Sequence, residues 1–67
     1  MSVQPRFGQK VRRLRDKLGM TQRALAKRAR ITVVYLCQLE HGEGTPSLDL
    51  VEHLAGILKT TTARMLE

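Results

Sequence analysis

Apolar residues recur at helical spacing along almost the whole chain. Phe7, Val11, Leu14 and Leu18 fall at i, i+4, i+7 and i+11, and Arg and Lys fill most positions between them. That spacing marks one face of a helix. Pro5 suits a helix start and Gly19 the left-handed residue just past an end, so a first helix is predicted over about residues 6–18. Thr21 then reads as an N-cap, and Met20 with Leu25 as a hydrophobic staple. Leu25, Ala26 and Ala29 give a narrow inward face, and a second helix is predicted over about 22–29. The same grammar repeats eleven residues on. Thr32 is the cap, Ile31 and Leu36 the staple, Leu36 and Leu39 the inward face, and Gly42 the stop. The third helix spans about 33–41.

"GEGTPS" breaks the pattern with two glycines and a proline. Ser47, or Thr45 followed by Pro46, caps a fourth helix over about 47–58, with a broad face of Leu50, Val51, Leu54, Ile57 and Leu58. Thr60 to Thr62 mark another boundary, and Met65 and Leu66 begin a short piece over about 62–66. No stretch alternates as a strand does. The expectation is an all-α, compact bundle of four to five short helices in a single domain, residues 1–67.

The second and third helices have about two turns each and are marginal alone. Joined by a tight turn and braced by a longer helix on each side, they form a helix-turn-helix arrangement. On the third helix Leu36 and Leu39 fix the inward direction, which leaves Val34, Cys37, Gln38 and His41 opposite and Val33 and Tyr35 at the edges. Two adjacent valines near water call for a reason. In a major groove a valine meets the thymine methyl group, and a glutamine pairs with adenine through both amide atoms. A site with A/T content is therefore expected. For Val33 the alternative is a partly buried position, and for Tyr35 it is packing beside the second helix rather than a phosphate contact. Cys37 reads as an ordinary small side chain, with a redox role as its rival. His41 and His53 read as surface residues.

Charge sharpens the picture. The formal net charge of the 67 residues is +6. Residues 1–30 hold ten Lys and Arg against Asp16 alone, near +9, whereas residues 31–67 hold two against five acids, near −3. Such asymmetry suits a polyanion partner for the first half, or a solubilising surface. One Phe and one Tyr are too few for a base-stacking platform on single strands. Cys37 has no partner for an internal disulfide, and one Cys with two separated His does not make a zinc site. No stretch approaches the length of a membrane span or resembles a signal peptide, so a cytoplasmic location is expected, on the nucleoid when DNA is bound. No cofactor, metal or small-molecule effector is expected. No nucleophile-and-base set or paired acids appear, so an enzyme is not expected.

The stretch "LGMTQRALAKRARITVVYLCQLEHGEGTPSLDLVEHLAGIL" resembles the Cro/phage-repressor-like (XRE-type) helix-turn-helix DNA-binding family, with a lambda repressor-like fold. The resemblance rests on Arg15, Thr21-Gln22, Leu25-Ala26, Ile31-Thr32, Leu36, Leu39-Glu40, Gly42, Pro46-Ser47-Leu48 and Leu54-Ala55 in that order, and covers about residues 7–66. It implies that the third helix is the recognition helix. Val33, Val34, Cys37 and Gln38 would meet base edges, and Thr21, Gln22, Arg23, Thr32 and Tyr35 would lie along the phosphates. Arg15 and Glu40 would form an orienting ion pair. The region after the fourth helix, with Leu58, Met65 and Leu66, would supply the dimer contact. Arg30 stands where relatives usually carry Gly or Asn, so a left-handed arginine is expected. Ala24 stands where Glu or Gln would complete a capping box.

The expected function is sequence-specific binding of double-stranded DNA by a small transcriptional regulator, a repressor that reads a palindromic operator as a homodimer. The alternative is a protein-interaction module of the same fold, an antitoxin or bridging factor.

Overall fold

The computed structural model describes residues 4–67, with side chains from Arg6 onward. Five helices follow one another: α1 (Gln4–Lys17), α2 (Gln22–Ala29), α3 (Val33–Glu40), α4 (Leu48–Ile57) and α5 (Thr62–Met65). No strand occurs among the described residues. Six of the expected helix limits, in four of the helices, shift by a residue or two. Pro5 falls in the first turn of α1, where its missing N–H costs nothing. His41, Ser47, Leu58 and Leu66, expected inside helices, are caps.

Hydroxyls start four of the five helices. Thr21, Thr32, Ser47 and Thr61 each stand in extended backbone and accept from the amide three residues on, at 3.0, 3.0, 3.1 and 3.1 Å. Such caps contribute about 1 kcal/mol each, which matters for helices as short as these. Ser47 therefore caps α4 rather than Thr45. Gly19 ends the first segment at φ +70°, and Gly42 follows α3 at φ +81°.

Phe7, Val11, Leu25, Ala26, Ala29, Leu36, Val51, Leu54, Ala55, Leu58 and Met65 form the core. Both staple residues, Met20 and Ile31, pack against it. α1 lies on α3 and α5, α2 on α3 and α4, and α4 on α5. Two expectations change here. Leu18, placed on the inward face of the first helix, is 39% exposed, because α1 ends at Lys17 and no element covers the next residue. Leu58 and Met65, expected at a dimer contact, are 2% and 1% exposed. The four residues of α5 fold back on α1 and α4, and Met65 fills the gap between them. Of the three candidates only Leu66 offers surface.

Gly8 was not singled out by sequence, and it sets how closely α1 meets α3. A Cβ at Gly8 would collide with the carbonyl oxygen of Leu39 and come within 2.9 Å of the Glu40 carbonyl. The C-terminal carbonyls of α3 thus rest directly on the α1 backbone. Gly8→Ala puts a methyl group against rigid backbone, so it is expected to lower the melting temperature by 10 °C or more in thermal denaturation, at roughly 4–8 °C per kcal/mol for a domain of this size. An unchanged melting temperature would contradict the close approach. Arg30 is left-handed at φ 60° and ψ 43°, as expected, and so is Lys59 at φ 60°. An L-residue in that region costs about 1 kcal/mol relative to Gly. Arg30→Gly should therefore raise the melting temperature by about 4–8 °C, and a clear fall would contradict the strain.

Candidate nucleic-acid interface

Helix α3 cannot be placed by its own hydrogen bonds, since eight residues are too few to hold a helix in water. Its position comes from Glu40, whose carboxylate turns back toward α1 and α2. Arg15 Nε donates to Glu40 Oε2 at 2.7 Å and Arg15 Nη2 to Oε1 at 3.1 Å, a two-pronged pair. Arg15 Nη1 donates to the Met20 carbonyl at 2.9 Å and also lies 3.2 Å from Asp16. Gln22 Nε2 donates to Glu40 Oε1 at 3.0 Å. One buried carboxylate thereby joins α1, the turn before α2, the first residue of α2 and the last residue of α3. The side chains are 10% exposed for Arg15 and 2% for Glu40. The Glu40 hydrogen bond, helped by the charges of Glu40 and Asp16, raises the Arg15 guanidinium above its ordinary value, against burial, which lowers it. The pair expected from the sequence is thus formed.

Gln22, expected along the phosphates, is first of all a member of this cluster. Its amide must present NH2 to the acceptor-only carboxylate, which leaves one N–H for any other partner.

With α3 so held, Leu36 and Leu39 point into the protein at 0% and 1% exposure. The opposite side is open. Val34 is 69% exposed and Val33 39%, so neither is a core residue. Gln38 is exposed beside them and Cys37 is half-buried. The four expected base-reading positions therefore do share one outer face. His41 closes that face at the C-cap. Its Nδ1 donates to the Cys37 carbonyl at 2.7 Å and lies 3.6 Å from Cys37 Sγ. The expected phosphate positions divide. Thr21, Arg23 and Thr32 are exposed, and the two threonine hydroxyls already accept from the helix amides they cap. Tyr35 is half-buried, and its ring lies alongside Gly44 in the loop after α3.

The site has one member the sequence reading passed over. A shallow depression between the starts of α2 and the end of α3 is bordered by Thr21, Gln22, Cys37 and His41, and also by Arg12 from α1. The signal was available: Arg12 lies about 60° from Arg15 on the helix circumference, on the side that meets α3. Among the described residues no three His, Cys, Asp or Glu side chains gather as a metal group would require. None of the helices is long and apolar enough to cross a membrane.

Comparison with known proteins gives this arrangement relatives. Residues 6–67 match a family described as a helix-turn-helix domain. The chain is 36% identical over 59 residues to the HTH-type transcriptional regulator DdrOP3 of Deinococcus deserti, covering 88% of this chain. It spans 46% of that relative's length. Among solved structures, the clp gene regulator ClgR of Corynebacterium glutamicum superposes with a TM-score of 0.92 at 29% identity, over 98% of this chain and 70% of that one. SinR, a master regulator for biofilm formation solved in complex with DNA, superposes at 0.84 with 24% identity, over 91% of this chain and 98% of that one, a likeness of fold.

Removing the Glu40 carboxylate strands Arg15 in a buried position. Glu40→Ala is expected to cost about 3–5 kcal/mol in chemical denaturation. A loss under about 1 kcal/mol, the worth of an exposed pair, would show that the cluster is solvated rather than buried.

Proposed function

The chain belongs to the helix-turn-helix domain family, and from that footing we propose that it binds double-stranded DNA in a sequence-specific way, as a small transcriptional repressor. Helix α3 enters the major groove. Val33, Val34, Cys37 and Gln38 meet the base edges, and Thr21, Arg23, Thr32, Tyr35 and the remaining N–H of Gln22 lie along the phosphates, with Arg12 beside them. The observation that carries this reading is the outer face of α3. A helix pinned by a buried ion pair turns two exposed valines and a glutamine outward on one side, beside two hydroxyl-capped helix starts. Exposed valine is unfavourable in water and useful against a thymine methyl. The relatives add support: two are named as gene regulators, and the structure of a third holds DNA.

One such helix reads only a few base pairs. Two copies on a palindrome, with half-sites about 34–36 Å apart, supply the rest of the specificity. Leu66, exposed at the end of α5, is the remaining apolar candidate for the contact between copies. The protein acts where the chromosome lies, and its work is binding rather than catalysis.

Selection from random duplex DNA with the purified protein, followed by sequencing, tests the reading. The expected result is a palindromic motif with A/T pairs in each half and half-sites one helical turn apart. Gln38→Ala should then relax the preference at one position per half-site, by about 1–3 kcal/mol. Retention of all sequences alike, sensitive only to salt, would overturn sequence-specific reading.

A further inference from the structure

The cations of α1 are more numerous than the reading face uses. Arg6, Lys10, Arg13 and Lys17 fall within about 60° of one another around the helix, at i, i+4, i+7 and i+11. Gly8 and Arg15, which meet α3, lie about 160–180° from the middle of that stripe. The stripe therefore runs along the side of α1 turned away from α3. Arg64 of α5 joins it, lining a shallow groove with Lys10 and Arg13. Two of the cations also fasten α5: Lys10 Nζ donates to the Arg64 carbonyl at 2.7 Å and Arg6 Nη1 to the Glu67 carbonyl at 3.2 Å. Arg13, Lys17 and Arg64 are exposed. The acids nearby are few. Glu67 borders the groove, and Asp16 is drawn to Arg15.

Distance separates this stripe from a duplex at α3. Packed helices lie about 8–10 Å apart axis to axis, and the stripe adds the radius of α1 on the far side. Charges roughly 15 Å or more from the reading helix lie beyond the screening length of about 8 Å at physiological salt. They add little to a duplex bound there. A surface meant only for solubility mixes both signs, whereas a field of one sign suits a polyanion. The stripe runs from Arg6 to Lys17 on a helix of 14 residues, and its outermost cations stand about 16 Å apart. One DNA strand presents about five phosphates over that length.

We propose that the α1–α5 side is a second polyanion-binding face, which takes the phosphate backbone of another duplex segment without reading its sequence. This rests on DNA reading by α3 and goes beyond it: one chain holds two duplexes, one by its bases and one by its backbone. The test loads the protein to saturation on an immobilised 30-base-pair duplex and then offers a fluorescent duplex in solution. The wild-type chain is expected to capture the second duplex, and to release it as salt rises. Arg13→Glu/Lys17→Glu, which spares the two cations that fasten α5, should load the first duplex to the same level and capture at least tenfold less of the second. Its melting temperature checks its fold, and Arg13→Gln/Lys17→Gln should give an intermediate loss. Equal capture by wild type and reversal variant would overturn the proposal, because the second duplex would then be held by another surface, such as the free reading helix of a dimer. Loading without any capture would overturn it while leaving α3 as the reader, including where the stripe instead retains anionic phospholipid vesicles. A wild-type chain that loads no duplex at all would sink both readings.

Discussion

One buried carboxylate organises this protein. Glu40 gathers two nitrogens of Arg15 and the amide of Gln22, and Arg15 in turn holds the Met20 carbonyl. Taking both charges out of water costs several kcal/mol each, and only such a full set of partners offsets it. A bundle of 67 residues has a small core, and an apolar pair of similar volume would serve stability as well or better. What the ionic pair adds is direction. Hydrogen bonds accept a narrow range of angles, whereas leucines tolerate sliding. The pair, with the α1 backbone pressed against the α3 carbonyls at Gly8, gives an eight-residue helix one position and one rotation.

That rotation decides the chemistry of every outward side chain on α3. With Leu36 and Leu39 inward, Val33, Val34 and Gln38 face out together, while Thr21 and Thr32 start their helices alongside. The charges are distributed around this face rather than within it. Arg12 borders it beside Cys37 and His41, Arg23 is exposed on α2, and the α1 stripe lies behind. Apolar and amide groups suit discrimination among bases, and cations suit a backbone that is the same for every sequence.

Much of this was legible in the sequence because it is local. The caps at Thr21 and Thr32 and the staples follow from residues within one helical turn of each other, the fourth cap was narrowed to Ser47 or Thr45, and the left-handed Arg30 came from the family resemblance. The face of α3 follows from its period. The Arg15–Glu40 pair, 25 residues apart, came from the family resemblance rather than from spacing. What stayed hidden depends on approach between distant segments. Gly8 reads as a plain helix cost until the carbonyls of Leu39 and Glu40 are seen against it. Leu58 and Met65 were assigned to a dimer contact by the resemblance, and the four residues of α5 carry no period that would show them folding back into the core. Leu18 kept the spacing of its face but lost the element that would cover it. Gln22 looked free for a phosphate because its partner lies 18 residues away.

The central claim is that the buried pair serves orientation more than stability. The most direct test replaces both partners at once and measures two quantities side by side. In Arg15→Met/Glu40→Leu the melting temperature should stay near the wild-type value, because packing replaces the charges. Affinity for the duplex enriched by selection should fall at least tenfold, because α3 is no longer held in register. A double variant that is stable and binds that duplex as tightly and as selectively as the wild-type chain would contradict the account.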